Sequence, residues 1–187
     1  MLAHGSGQPS DSPWMESLAR ALSEQGVECR RFNFEYMDKA LAAGKPRPPS
    51  ALSKLVEEYR AMLESVAGAR VFVGGKSLGG RVATHLAVFA PVRGVVAFGY
   101  PFHPPGKPEK LRTGHLSDIP CPVLFCQGER DTFGKREEVE GYGLPSNLEF
   151  EWLPDGDHGF KPRKRSGETL EGNLERAAAA AARFMSR

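Results

Sequence analysis

The chain has 187 residues, of which 40% are hydrophobic and 26% are charged, and its formal net charge is +2. This composition is typical of one globular domain and excludes a disordered chain, and the near-balance of charge gives no reason to expect nucleic acid as a partner. No apolar run approaches the length of a membrane span, and the N-terminal residues lack the features of a signal peptide, which predicts a cytoplasmic protein with no membrane partner.

Short apolar, β-rich runs alternate with stretches of helical periodicity along the chain. The predicted strands are residues 27–34, 71–73, 92–98, 123–126 and Leu148–Leu153. Helices are predicted from Pro13 after the capping residue Ser12, from about Ser50, from Leu78, and over about Leu170–Met185. This alternation indicates an α/β fold, with a mostly parallel sheet covered by helices on both faces. No internal repeat or domain boundary is visible, so one domain over residues 1–187 is expected.

The three cysteines, Cys29, Cys121 and Cys126, form neither a Cys-x-x-Cys pair nor a metal-ligand array. Cys29 and Cys126 lie in apolar runs, so buried thiols are predicted rather than disulfides or metal ligands. The sequence gives no reason to expect a metal or another cofactor.

A serine stands between two glycines in the stretch Gly75-Lys76-Ser77-Leu78-Gly79, after an apolar run and before a helical one. A sharp strand-to-helix turn would lift the hydroxyl of Ser77 out of the sheet, and flanking residues without a Cβ would relieve the strain of that turn. The helix that follows would point its free N–H groups at any charge that develops beside the serine. The pattern therefore predicts a nucleophile elbow.

Two other interpretations of this stretch stay open when it is considered by itself. One is a glycine-rich connection that carries a solvated serine. The other is a phosphate-binding loop, but the Gly-x-x-x-x-Gly-Lys-Ser spacing is incomplete because Arg70 stands where a glycine is needed. Nucleotide binding is therefore disfavoured.

Two further side chains could activate Ser77, because a serine hydroxyl needs an imidazole to accept its proton and a carboxylate to orient that imidazole. Asp131 closes the turn after the strand at 123–126, and His158 follows the strand Leu148–Leu153. All three residues would then follow the carboxyl ends of different strands, where parallel sheets place their sites. Weaker alternatives for the carboxylate are Glu129, Asp155 and Asp157.

These motifs resemble the α/β-hydrolase superfamily, in particular its small, dienelactone-hydrolase-like members. The more specific similarity lies in residues 4–7 (HGSG), 74–77 (GGKS), 99–108 (GYPFHPPGKP) and 155–158 (DGDH). These segments resemble a set of compact predicted hydrolases related to a testis-expressed hydrolase-like protein and to a regulatory subunit of a histone acetyltransferase complex. The similarity extends over nearly the whole chain. Superfamily members usually have two antiparallel strands and most of a third before the 4–7 loop, so about six strands are expected here. Either the sheet is genuinely minimal, or residues that precede Met1 are missing from the sequence.

The resemblance implies that Ser77 is the nucleophile, His158 the base and Asp131 the acid. It also implies an oxyanion hole formed by the backbone N–H groups of Ser6 and Leu78, although glycines at 5 and 7 would equally permit a tight turn of no catalytic use. The candidates for the substrate pocket are His4, Tyr100, Phe102 and His103. A structural role is equally open for His103, and His4 is expected to bond to backbone rather than to transfer protons.

The expected function is that of a cofactor-independent serine hydrolase acting on a small carboxylic ester or thioester. Basic residues cluster at 107–112 and 161–165. They are interpreted as a solvated face, with an electropositive rim for an anionic small-molecule substrate, or a docking surface, as the alternatives. A second hypothesis is an interaction module of the same fold with weak or no turnover. The oligomeric state is not predicted.

Overall fold

The computed structural model describes residues 1–66 and 71–187 and contains, in those ranges, six strands and six α-helices. The strands are β1 (Leu2–Ala3), β2 (Arg31–Phe32), β3 (Phe72–Lys76), β4 (Gly94–Phe98), β5 (Val123–Gly128) and β6 (Leu148–Leu153). The helices are α1 (Pro13–Glu24), α2 (Glu35–Ala43), α3 (Leu52–Glu64), α4 (Leu78–Ala87), α5 (Arg136–Glu140) and α6 (Leu170–Met185). Short 3-10 turns lie at Leu116–Asp118 and Lys164–Ser166.

The six strands form one parallel sheet in the order β2-β1-β3-β4-β5-β6. The chain builds outward in one direction from β1 to β2 and in the other from β3 to β6, so β1 and β3 flank the point where the order reverses. In open parallel sheets, ligands bind at the carboxyl ends of the strands beside such a point. The predicted six-stranded parallel sheet is confirmed.

Helices cover both faces of the sheet, each over its own apolar cluster. On one face α1 and α6 pack against each other and against the sheet, with buried Leu18, Leu22, Ala177 and Ala181. On the other face α3 and α4 do the same, with buried Leu55, Tyr59, Val82 and Leu86. Both layers are therefore held by apolar burial, and they leave the carboxyl edge of the strands free to carry polar groups.

The structure differs from the predictions in several respects, one of which is that helix α5 was not predicted. The strand predicted at 27–34 is reduced to Arg31–Phe32, because the partner that it pairs with among residues 1–66 and 71–187 is the two-residue strand β1. Helix α2 was not predicted, and only Tyr36 and Met37 of it are buried. Ser12 precedes Pro13 as expected, but its hydroxyl makes no capping hydrogen bond. Cys126 is buried, whereas Cys29 and Cys121 are partly exposed.

Across residues 1–66 and 71–187 no helix is long and apolar enough to cross a bilayer. Within the same ranges, no group of three or more His, Cys, Asp or Glu side chains is arranged to hold a metal ion.

Candidate active site

Ser77 stands at a sharp turn between β3 and α4. Its backbone has a φ of 50° and a ψ of −109°, a conformation that residues other than glycine rarely adopt. A Cβ on Gly75 would lie 2.6 Å from the carbonyl carbon of Gly79, and a Cβ on Gly79 would lie 2.4 Å from the carbonyl oxygen of Ala3. The helix therefore starts in contact with the sheet, and glycines on both sides make that approach possible.

The side chains of Ser77, His158 and Asp131, which the sequence predicts to lie close together, form one chain of hydrogen bonds. Ser77 Oγ lies 2.9 Å from His158 Nε2, and His158 Nδ1 lies 2.8 Å from Asp131 Oδ2. Asp131 is fully buried, while His158 keeps 26% of its side chain exposed. Because an ionised carboxylate only accepts, the proton of the neutral imidazole belongs on Nδ1, and Nε2 is free to accept from the hydroxyl.

Asp131 is fixed by two further donors. Gln127 Nε2 donates to Oδ2 at 2.9 Å, and the backbone N–H of Phe133 donates to Oδ1 at 2.8 Å. Gln127 is itself buried, and its Oε1 accepts from the backbone N–H of Tyr100 at 2.7 Å. Both carboxylate oxygens are thus held, so the acceptor that faces His158 cannot turn away.

The loop that carries His158 is attached to the turn that carries Asp131. The backbone N–H of Arg130 donates to the carbonyl of Gly156 at 2.9 Å. Asp157 is not part of this hydrogen-bonded chain, and its Oδ1 accepts from the N–H groups of Gly159 and Lys161 at 2.8 and 3.0 Å. Asp157 therefore shapes the loop, and Asp131 is the carboxylate that reaches the imidazole.

The loop at residues 4–7 lies beside the serine. A Cβ on Gly5 would lie 3.8 Å from the Cβ of Ser77, so a side chain at Gly5 would be in van der Waals contact with the serine. The carbonyl oxygen of Ser6 accepts from the Tyr36 hydroxyl at 3.1 Å. On the other side, the first helical bond of α4 runs from Arg81 N to Ser77 O, so the N–H of Leu78 precedes the hydrogen-bonded turns of the helix.

A family model of an alpha/beta hydrolase domain matches residues 1–186 of this sequence, which is nearly the whole chain. The protein belongs to this α/β-hydrolase family.

Solved structures with the same fold agree with that assignment. An alpha-beta serine hydrolase homologue from Coxiella burnetii is 18% identical, with 98% of this chain and 84% of that chain covered and a TM-score of 0.70. Est1E from Butyrivibrio proteoclasticus is 15% identical, with 100% and 87% covered and a TM-score of 0.71. XC6422 from Xanthomonas campestris, described as a serine hydrolase without a lid, is 20% identical, with 96% and 81% covered and a TM-score of 0.62. At these identities the similarity concerns the fold.

The residues predicted to line the substrate pocket lie inside the hydrolase. The rings of Tyr100 and Phe102 are fully buried and 4.8 Å apart by centroid, in an aromatic cluster with Phe125. His4 is buried with one ring nitrogen 2.5 Å from Gly5 O and the other accepting from Phe34 N at 3.1 Å. These side chains are buried in the core because the loops that carry them fold inward.

His103 is also buried, and its imidazole contacts its own loop. Its Nδ1 lies 2.8 Å from the carbonyl oxygen of Pro104, and its backbone N–H donates to Phe133 O at 3.1 Å. The structural interpretation of this histidine is therefore the one that the contacts favour. The proline-rich segment is tied in this way to Phe133, whose ring contacts the imidazole of His158.

Phe133 is a site residue of the hydrolase that sequence reasoning missed. Its half-buried ring lies 4.2 Å from the ring of His158, at an angle of 31°. The backbone N–H of Phe133 donates a hydrogen bond to Asp131, and its carbonyl oxygen accepts one from the backbone N–H of His103. The only signal in the sequence is its position two residues after Asp131, which by itself says nothing about where the ring points.

Two further histidines, His85 and His115, pack against each other. The rings of His85 and His115 stack at 3.5 Å, and Thr84 Oγ1 lies 2.9 Å from His115 Nε2. Burial lowers the pKa of both to about 4; repulsion from Arg81 adds to the shift at His85, and repulsion from His85 and then Arg81 adds to it at His115. They are therefore neutral at physiological pH and serve packing.

The basic cluster at 161–165 is partly neutralised by a carboxylate from the His158 loop. Arg163 forms a bidentate pair with Asp155, which also pairs with Arg130 at 3.1 Å. Hydrogen bonds from the Arg163 side chain lower the pKa of Asp155 to about 2. Lys161, Lys164 and Arg165 remain exposed, so the positive surface is smaller than the sequence indicates.

Proposed function

We propose that this hydrolase is a serine hydrolase that cleaves a small carboxylic ester or thioester through an acyl-enzyme. The observation that supports this most strongly is the bonded series Ser77–His158–Asp131, in which each heavy-atom distance is 2.8 or 2.9 Å. A nucleophile, a base of fixed tautomer and a buried orienting carboxylate are the parts that acyl transfer requires. The dienelactone-hydrolase-like branch of the family fits this small single domain.

In the proposed reaction, Ser77 Oγ attacks the carbonyl carbon while His158 Nε2 takes the hydroxyl proton. The oxyanion that forms would accept hydrogen bonds from the N–H groups of Ser6 and Leu78, at the positive end of α4. Collapse of this intermediate expels the alcohol or thiol, which receives its proton from His158. Water then attacks the acyl-enzyme by the same steps, releasing the acid and restoring Ser77.

The surroundings of His158 favour a compact acyl group. The ring of Phe133 stands directly against the imidazole, and the segment after β4 is held down by a bond from Arg112 N to Phe102 O at 2.7 Å. Two cavities, of about 510 and 520 Å³, lie between α1 and α6 and at the amino ends of β1 and β3, and neither contains a triad residue. A site bounded by the Phe133 ring suits a short acyl chain better than a long one.

A panel of p-nitrophenyl esters from acetate to palmitate tests both parts of the proposal. We expect kcat/KM to be highest for the short esters, and we expect Ser77→Ala to reduce hydrolysis to near the background rate. Ser117→Ala, which alters an exposed serine, is the matched control and should behave as the wild type. Preference for long chains would contradict the small substrate, and unchanged turnover in Ser77→Ala would contradict the serine mechanism.

A further inference from the structure

The ammonium group of Lys76, the residue before the proposed nucleophile, lies near two aromatic rings beside the triad, and the residue is half-buried. Its Nζ lies 5.2 Å from the ring centroid of Trp14 and 5.6 Å from that of Phe160. It donates a hydrogen bond to the main-chain carbonyl oxygen of His158. Lysine side chains usually extend their charge into water, so an ammonium held on the backbone of the base residue points to a role at the site.

The position of Nζ is fixed from two sides. Gly99, which follows β4, has a φ of 64°, and a Cβ there would lie 2.6 Å from Lys76 Nζ and 3.0 Å from His158 O. On the other side, the indole N–H of Trp14 donates to the carbonyl oxygen of Gly159 at 2.8 Å. The ring that contacts the ammonium therefore also holds the loop on which His158 stands. Groups from α1, β3 and the end of β4 converge on one short piece of main chain.

Among the residues that the structure describes, the charged groups that act on Lys76 are the carboxylates of Asp131 and Asp157, and the titratable residue to which it is bonded is His158. Helix α1 presents the Trp14 ring and the end of β4 presents the backbone of Gly99. Burial lowers the pKa of Lys76 to about 8, and the charges of Asp131 and then Asp157 oppose that shift. Lys76 is therefore charged at neutral pH and loses its charge a little above it.

We propose that Lys76 is a positioning residue: its ammonium binds the carbonyl oxygen of His158 and so keeps the imidazole within hydrogen-bond distance of Ser77. This inference rests on the serine-hydrolase function proposed above. The connection is short, because Lys76 adjoins the nucleophile in the chain and its bond ends on the base itself. Displacements of about 1 Å at a reacting group can reduce rates by about 100-fold.

The charge of Lys76 is proposed to favour activity, but it lowers the stability of the fold. Its pKa is about 8 in the folded protein and 10.5 as the ordinary value, so between those pH values the unfolded chain binds more protons than the folded one. Stability therefore rises with pH across that window, and the charged ammonium destabilises the fold at neutral pH. If Lys76 served packing alone, its replacement would instead lower the stability of the fold.

The test uses Lys76→Met, which keeps the length of the side chain without its charge, and Lys76→Gln, which keeps a neutral donor. Lys45→Met, at an exposed lysine, is the matched control. For each protein we would measure kcat and KM with p-nitrophenyl acetate from pH 6 to pH 10, the rate of labelling by a fluorophosphonate, and Tm at pH 7 and pH 10.

We expect kcat of Lys76→Met to fall by about 10- to 100-fold at pH 7 with little change in KM, while its Tm at pH 7 is equal to or above that of the wild type. The wild type should lose activity above about pH 8 as Lys76 is deprotonated, and both variants should lack that limb. Lys76→Gln should retain more activity than Lys76→Met. Unchanged kcat in Lys76→Met, or a Tm that falls in step with kcat, would overturn the inference. Failure of the wild type to be labelled would instead overturn the proposed function.

Discussion

Asp131→Asn is expected to lower kcat by about 10⁴-fold while the protein stays folded, as the loss of the orienting carboxylate does in known Ser–His–Asp enzymes. The reason lies in the donors around this side chain. Oδ2 accepts from both His158 Nδ1 and Gln127 Nε2, and Oδ1 accepts from Phe133 N. An asparagine has one acceptor oxygen, so its NH₂ must face a donor in either orientation. If it faces His158, the imidazole takes the wrong tautomer and cannot accept the serine proton.

Asp157→Asn is the matched control for this variant, since it changes the carboxylate next to the base. Only Oδ1 of Asp157 accepts the two backbone bonds described above, so an asparagine can keep them and place its NH₂ where Oδ2 stood. We expect this variant to retain most of the activity. Steady-state kinetics with a short ester, and circular dichroism to verify folding, compare the two. Near-normal kcat in folded Asp131→Asn, or an equal loss in Asp157→Asn, would contradict the assignment of the acid.

Gly79→Ala is expected to give the largest change in stability. Alanine favours a helix over glycine by about 1 kcal/mol, so any loss must come from steric conflict. The new Cβ would lie 2.4 Å from Ala3 O and 2.7 Å from His4 O, and these are backbone atoms of β1 and of the 4–7 loop. We expect a net destabilisation of about 2–3 kcal/mol, which is about 5–10 °C in Tm for a domain of this size.

Displacement of the 4–7 loop in Gly79→Ala should also slow labelling of Ser77, because Gly5 lies against that serine. Gly114→Ala is the control, since a Cβ at Gly114 would have no atom within 4 Å. It should match the wild type in Tm and labelling. A Tm of Gly79→Ala equal to that of the wild type would show that β1 and the loop do not fit against α4 as described.

The sheet and the position of Ser77 could be predicted because each depends on local pattern. An apolar run, a Gly-x-Ser-x-Gly turn and a helical period lie next to one another around Ser77, and parallel strands bring their carboxyl ends to one edge. That rule placed Asp131 and His158 near Ser77 although they are far apart in the chain. The hydrogen bonds between them depend on side-chain geometry, which only the structure supplies.

The contributions of Gln127, Phe133 and Lys76 could not be predicted in the same way. Each acts through a contact between elements that are distant in the chain or through the direction of one side chain. The periodicity of the sequence predicts neither such contacts nor such directions. The inward orientation of Tyr100 and Phe102 was missed for a related reason: an irregular, proline-rich segment has no repeating face to assign to core or solvent. Tyr100 and Phe102, which were predicted to line the pocket, therefore lie in the core.

The strand at residues 31–32 is shorter than the sequence pattern predicts. Residues 27–34 have the composition of a strand, but a strand exists only where a partner offers hydrogen bonds, and β1 offers two residues of pairing. The apolar residues of this run are used in packing instead, with Val27 and Cys29 against one cluster and Phe32 and Phe34 in the other. The apolar composition of this run therefore predicts that its residues pack against the core, but it does not predict which of them pair with another strand.

The most direct test of the account is the mass of the protein after reaction with a fluorophosphonate, followed by mapping of the modified peptide. Activation of Ser77 by His158 and Asp131 predicts one adduct per chain, located on Ser77, absent from Ser77→Ala and retained in Ser117→Ala. No adduct on folded wild-type protein, or an adduct that persists in Ser77→Ala, would contradict the claim that this serine is the nucleophile.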